Sequence, residues 1–232
     1  MSEEKRIEKL YSRRDVLKTA GKAAAGVAVA TVIPSFLTSC NGKAEIPSKE
    51  VLSYEYKELS TDVPAYPFPY QKLDPQTTRE RAYASFFNVG GCCRAVVDGV
   101  VGQLRDNAGY PWNQCPIDAY ANGAGGYGAG TLCGSLGGAA VAIGMAVPPE
   151  DAAKLTAELF KWYKETELPL YQPDVKNKTV ASVSVNCIDS VGEFMDISGY
   201  KMADPERKAR CAGVAADCAG KTAELLNDYF KL

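Results

Sequence analysis

From Ala82 through Cys92 and Val96 to Leu104, apolar residues recur at helical spacing behind a start signal, Asp74-Pro75 followed by Thr77-Thr78-Arg79-Glu80. Gly90 and Gly91 interrupt the stretch and predict a break in it. Residues 131–145 are small and apolar, a helix able to lie very close to its neighbours or to a bound group. Pro148-Pro149-Glu150-Asp151 opens another, with Ala152, Leu155, Leu159, Phe160 and Tyr163 as its inner stripe. Residues 183–195 predict a short helix, with Cys187, Val191 and Phe194 on one face, and Asp204-Pro205-Glu206 starts a long last one ending near Tyr229. There is no internal repeat and little strand pattern, so the expected fold is mainly α: a compact multi-helix domain over residues 76–232.

Residues 40–75 lack a helical period and are rich in prolines and aromatics, among them Pro64, Tyr66, Pro67, Phe68, Pro69 and Tyr70, which predicts an extended arm that wraps a surface. Residues 107–130 form a long loop rich in Gly, Pro and Tyr, and loops of that length in a compact domain usually carry function. Within it, Gly123-Ala124-Gly125-Gly126-Tyr127-Gly128 satisfies the glycine pattern of a dinucleotide site. The context is wrong for one: Pro111-Trp112-Asn113-Gln114-Cys115-Pro116 cannot be a central parallel strand, and no βαβ unit surrounds it.

Residues 1–39 read as an address. Ser12-Arg13-Arg14-Asp15-Val16-Leu17-Lys18 is a twin-arginine export pattern with Val16 in place of phenylalanine, followed by an apolar run over 23–37. That run is shorter than the ~20 residues a membrane-crossing helix needs, and Pro34 interrupts it. Leu37-Thr38-Ser39-Cys40 resembles a lipoprotein cleavage site, so the expected location is the periplasm or the outer face of a membrane, anchored only through a lipid on Cys40. Twin-arginine export carries folded proteins, which suits a cofactor inserted before export.

Acidic and basic side chains nearly balance, 28 to 26, and removing a leader with seven basic and four acidic residues leaves a net charge of about −5. Nucleic acid is therefore not an expected partner. The chain contains no histidine, which removes the commonest general base and metal ligand and forbids haem attachment through C-x-x-C-H. Eight cysteines, at 40, 92, 93, 115, 133, 187, 211 and 218, are the chemistry on offer.

On the last helix Cys211, Val214, Ala215, Cys218, Thr222 and Leu225 share a stripe, but seven residues at ~1.5 Å each hold the two thiols about 10 Å apart, too far to bridge. Cys92 and Cys93 point about 100° apart on a helix, so one of them faces a site and the other packs. Cys92, Cys133, Cys187 and one of Cys211 or Cys218 then come from four separate helices. Spacing alone leaves three readings open: a metal site, a disulfide framework, and inert buried thiols.

Cys133-Gly134-Ser135-Leu136-Gly137-Gly138 resembles the C-G-A-x-x-G motif of the C_GCAxxG_C_C family of redox proteins, with Ser135 where that family has alanine. The family's first cysteine, in C-x-x-A-V, matches Cys92 in Cys92-Cys93-Arg94-Ala95-Val96, and the later two match Cys187 in SVNCIDSV and Cys211 in ERKARCAGVAADCAGKTAELLN. FPYQKLDP, GQLRDNAGYPW and GAGGYGAGTLCG are similar to the split-Soret cytochrome c branch, a mainly α homodimer with two c-type haems and an iron-sulfur centre. Without histidine only the iron-sulfur half carries over.

The resemblance implies an iron-sulfur cluster and no haem. Its metal ligands would be Cys92, Cys133, Cys187 and Cys211, with Cys218 the alternative fourth, and Gly134 and Ser135 would lie beside the cofactor. Cys93 would be the packing residue. No acid-base pair is evident, so the expected role is electron transfer to a redox partner protein rather than turnover of a substrate. The alternative expectation is a metal-free, disulfide-stapled lipoprotein acting as a binding module. Arg94, Arg105 and Tyr127 would either line a pocket beside the cluster or be ordinary surface residues.

Overall fold

The computed structural model describes residues 61–232, so the expected leader, Cys40 and the first part of the arm lie outside the described residues. Helix α1 spans Pro75–Ser85, with Pro75 in its first turn and the Asp74 carboxylate accepting the Thr77 amide at 2.7 Å. A single π turn, Phe86–Gly90, closes it. Gly90 and Gly91 then take φ of 91° and 86°, a region that a side chain would make costly, and the predicted break falls there. Helix α2 begins as Cys92–Val97, continues through a π turn at Asp98–Gly102, and ends as Gln103–Ala108.

The loop over 107–130 holds two short 3-10 turns, Trp112–Gln114 and Ile117–Gly123, and then a left-handed turn in which Gly125, Gly126, Tyr127 and Gly128 all have positive φ. Helices α3 (Gly134–Ala146), α4 (Pro149–Glu165), α5 (Cys187–Ser198) and α6 (Pro205–Phe230) complete the domain. Among the described residues there are only two isolated β-bridges, Leu132 with Asn186 and Leu168 with Val180, and no helix is long and apolar enough to cross a membrane.

Helix α6 is the spine of the core. It packs along α1 and against α2, α3 and α4, and is buried on most of its circumference rather than along one stripe. Its glycines set the spacing: a Cβ at Gly220 would lie 2.6 Å from the Arg79 side chain, and one at Gly213 would lie 2.6 Å from the Tyr171 carbonyl. Asp217 holds that neighbouring loop, accepting the Leu170 and Tyr171 amides at 2.6 and 3.1 Å.

The described part of the arm, residues 61–74, runs over the domain and is pinned at several points. The Phe68 amide donates to the Met145 carbonyl, the Trp112 indole to the Pro69 carbonyl at 2.8 Å, and Asn227 closes a two-way hydrogen bond with the backbone of Leu73. Tyr70 stacks on Phe230 at 4.9 Å. The aromatics that predicted a wrapping arm thus dock on the chain itself.

Helix α5 starts at Cys187, four residues later than its pattern predicts. The serines ahead of it divert the backbone: Ser182 Oγ donates to the Ser184 carbonyl, and Ser184 Oγ accepts the Asn186 amide while donating to Asp189. Residues 185–187 are extended enough to bridge with residues 131–133.

Candidate metal centre

Gly91, in its positive-φ conformation, delivers the chain into α2 with Cys92 and Cys93 in the first turn. The two thiols part company there. Cys93 is 1% exposed and lies against Gly123, where a Cβ would come within 2.6 Å of its Sγ, and burial followed by the nearby Cys133 pushes its thiol up to about 11. Cys92 Sγ instead lies over the start of α3, 2.5 Å from where a Cβ of residue 134 would sit. Both cysteines thus border the Cys133 motif, Cys92 through its sulfur at Gly134 and Cys93 through its backbone at Gly138 and its thiol near Cys133.

Cys133 and Cys187 meet through the Leu132–Asn186 bridge. The Cys133 amide donates to the Val185 carbonyl at 2.8 Å, and the Cys187 amide to the Thr131 carbonyl at 2.6 Å. Side chains alternate across an extended pair, so Cys133 and Cys187 share a face and are diagonal neighbours, a relationship that places backbones about 7–8 Å apart. Each thiol also sits at a helix start: Cys92 opens α2, Cys133 is the residue before α3, and Cys187 opens α5, and no side chain caps any of the three. First-turn amides without an intrahelical acceptor and the positive end of the helix dipole favour an anionic sulfur at such positions.

Cys211 lies one turn into α6 beside two buried arginines. Arg207 Nη1 donates to Cys211 Sγ at 3.7 Å, and Arg210 is also hydrogen-bonded to that sulfur. Burial alone would raise the Cys211 thiol, but the two guanidinium groups outweigh it and hold the pKa below the ordinary value. Cys218, wholly buried two turns on, is pushed well above the ordinary thiol range by desolvation first, then by Cys133 and Asp217. The stripe that left the fourth position open therefore holds one thiol whose pKa two guanidinium groups hold down and one whose pKa burial pushes up.

The sequence profile of the redox-active protein family C_GCAxxG_C_C matches residues 91–225, which takes in all of these cysteines. The chain belongs to this family. It is also 31% identical over 172 residues to the split-Soret cytochrome c of Desulfovibrio desulfuricans; the match covers 70% of this chain and 62% of that protein, less than two thirds of its length. A solved structure described as "a novel iron centre in the split-Soret cytochrome c" from the same organism superimposes with a TM-score of 0.68, at 31% identity, covering 70% of this chain and 71% of that one. The mainly α expectation agrees with that all-helical relative.

Around the family thiols the predicted residues divide. Among the described residues no three Cys, Asp or Glu side chains converge as a set that could hold a metal ion, and no disulfide joins any two cysteines. Cys92 lies beside the α3 start, Cys133 and Cys187 are linked by the bridge, and Cys211 connects to Cys133 through Arg210, which interacts with both. Cys115 is separate, buried at the loop with its sulfur 3.8 Å from the Tyr120 hydroxyl.

The missing Cβ of Gly134 makes room for Cys92 Sγ and the Gly123 carbonyl. The Ser135 hydroxyl is buried with no hydrogen-bond partner. Arg105 is not a surface residue: it is 4% exposed and pairs with Asp106 at 3.2 Å. Arg94 reaches Asp118 and the Gly90 carbonyl, while Tyr127 is half exposed with its hydroxyl over Gly137.

Sequence reasoning missed Arg207 and Arg210, and with them Ser190 and Tyr163. Arg210 Nη2 donates to Ser190 Oγ at 2.8 Å, and Ser190 Oγ is also 2.8 Å from the Tyr163 hydroxyl. The signal was present: Arg207 stands four residues before Cys211 on the face that goes on through Val214 and Cys218, so a base occupies an apolar stripe.

Proposed function

We propose that this chain is an exported iron-sulfur electron-transfer protein whose cluster is held by Cys92, Cys133, Cys187 and Cys211. The observation that carries this reading is the electrostatic setting of the four family thiols: three at uncapped helix starts and the fourth against two buried guanidinium groups. The donor set is all sulfur, the chemistry that selects iron-sulfur clusters or zinc. The buried, unpartnered Ser135 hydroxyl and Arg210 Nε are donors with nothing yet to donate to, which fits an acceptor such as cluster sulfur beside them.

When bound, such a cluster supplies one-electron transfer. The protein's own work is to fix the sulfurs on separate helices, to set the charge around them, and to leave a short route out. Cys187 and Cys211 are only half buried, so a redox partner protein docking on that part of the surface would come close to the ligands. Haem is not part of the proposal, because the chain has no histidine to complete C-x-x-C-H or to bind iron axially. Export by the twin-arginine route, a lipid on Cys40 and a homodimer complete the reading, resting on the leader pattern and the family resemblance.

The test is iron and acid-labile sulfide analysis of anaerobically purified protein, with a pyridine haemochrome assay on the same sample. The expected result is brown protein with iron and sulfide in equal amounts and no haemochrome band. Colourless protein binding neither element would end the proposal.

A further inference from the structure

A guanidinium group taken out of water is ordinarily matched by a carboxylate, because an uncompensated charge in the interior is strongly unfavourable. Arg210 departs from this. It is 2% exposed, its Nη2 donates to the neutral Ser190 hydroxyl at 2.8 Å, its guanidinium carbon lies 5.5 Å from the centre of the Phe194 ring, and its Nε is buried with no partner. Among the described residues the groups acting on it that can carry negative charge are the Cys211 thiol, to which it is hydrogen-bonded, the Cys133 and Cys218 thiols and the Tyr163 hydroxyl. Ser190, held by Tyr163 on its other side, fixes the guanidinium in place.

Resting on the cluster reading above, we infer that Arg210 is the built-in counter-cation of the metal centre, offsetting the net negative charge of a thiolate-ligated core and so raising its reduction potential. Reduction adds one electron to a core already anionic, and a fixed positive charge close by favours the reduced form more than the oxidised one. The same charge makes loading and stability interdependent: the guanidinium burdens the fold while the site is metal-free and supports it once the anionic core is in place. Arg210 is a positioning residue in this account, acting through the cluster's charge.

The experiment compares wild type with Arg210→Met and Arg210→Lys, each purified anaerobically and assayed for iron. Midpoint potentials come from redox titration, and melting temperatures are taken with and without iron. The expected results are a more negative potential in Arg210→Met, with Arg210→Lys between it and wild type. The iron-free Met variant should melt at or above iron-free wild type, while its iron-loaded form melts below loaded wild type. Should Arg210→Met fail to fold, Ser190→Ala keeps the charge but loosens it, and a smaller shift in the same direction is expected. An unchanged potential in variants with full iron occupancy overturns this inference and leaves the cluster reading standing. Wild-type protein that takes up no iron overturns both.

Discussion

A side chain on residue 134 would put its Cβ 2.5 Å from Cys92 Sγ, so the glycine after Cys133 is what allows the first family thiol to lie over the start of α3. The same Cβ would also collide with the Gly123 carbonyl, which is backbone and cannot swing away. Gly134→Ala should therefore destabilise the fold by about 1–3 kcal/mol and lower iron content. Urea unfolding together with iron per chain checks this, and an alanine variant as stable and as iron-rich as wild type would contradict it.

Ser135 offers a cleaner separation of folding from metal binding. Its hydroxyl is buried and unsatisfied, a state that costs about 1–3 kcal/mol. Ser135→Ala should leave metal-free protein equally or slightly more stable, and should shift the potential of loaded protein to more negative values as a donor to cluster sulfur is lost. A substantial loss of metal-free stability would show that the hydroxyl serves the fold instead.

Asp217 makes a prediction about pH away from the centre. Burial first, partly offset by the Leu170 and Tyr171 amides, raises its carboxyl to about 6. The folded chain then holds this proton more tightly than the unfolded one, so between about pH 4 and pH 6 the stability it contributes is lost as pH rises. The loss is at most about 3 kcal/mol. Other carboxylates titrate in the same range, so the quantity to follow is the difference in unfolding free energy between wild type and Asp217→Asn: it should turn against wild type from pH 4 to pH 7. A difference independent of pH would remove the assignment.

Asn227 ties the arm to the end of α6 through the Leu73 amide and carbonyl and the Tyr70 hydroxyl. Asn227→Ala strands those backbone groups and should cost about 2–3 kcal/mol. Limited proteolysis should cut between residues 61 and 73 faster than in wild type, with iron content unchanged. Equal cleavage rates would mean that the other arm contacts suffice.

Much of this architecture is legible in the chain because local signals and packing agree. Asp74-Pro75 marks the start of α1, and Gly90-Gly91 marks its end, since each fixes backbone geometry by itself. The start of α5 is not legible, because serine side chains competing for the backbone overrule the helical pattern expected from residue 183. The expectation of Cys92 over Cys93 rests on the motif, whereas the environments that separate Cys211 from Cys218 depend on Arg207 and Arg210, whose burial beside a thiol no periodicity reveals. Arg105 is hidden for the opposite reason: a charged residue at the end of α2 reads as solvent-facing until its Asp106 and loop neighbours cover it.

The most direct test of the four-thiolate proposal is iron retention across single alanine variants of all seven cysteines from 92 to 218, purified anaerobically side by side. Loss of most of the iron in the variants at 92, 133, 187 and 211, with near wild-type iron at 93, 115 and 218, is the predicted pattern. Full retention by any of the first four, or loss on replacing Cys218, would contradict it.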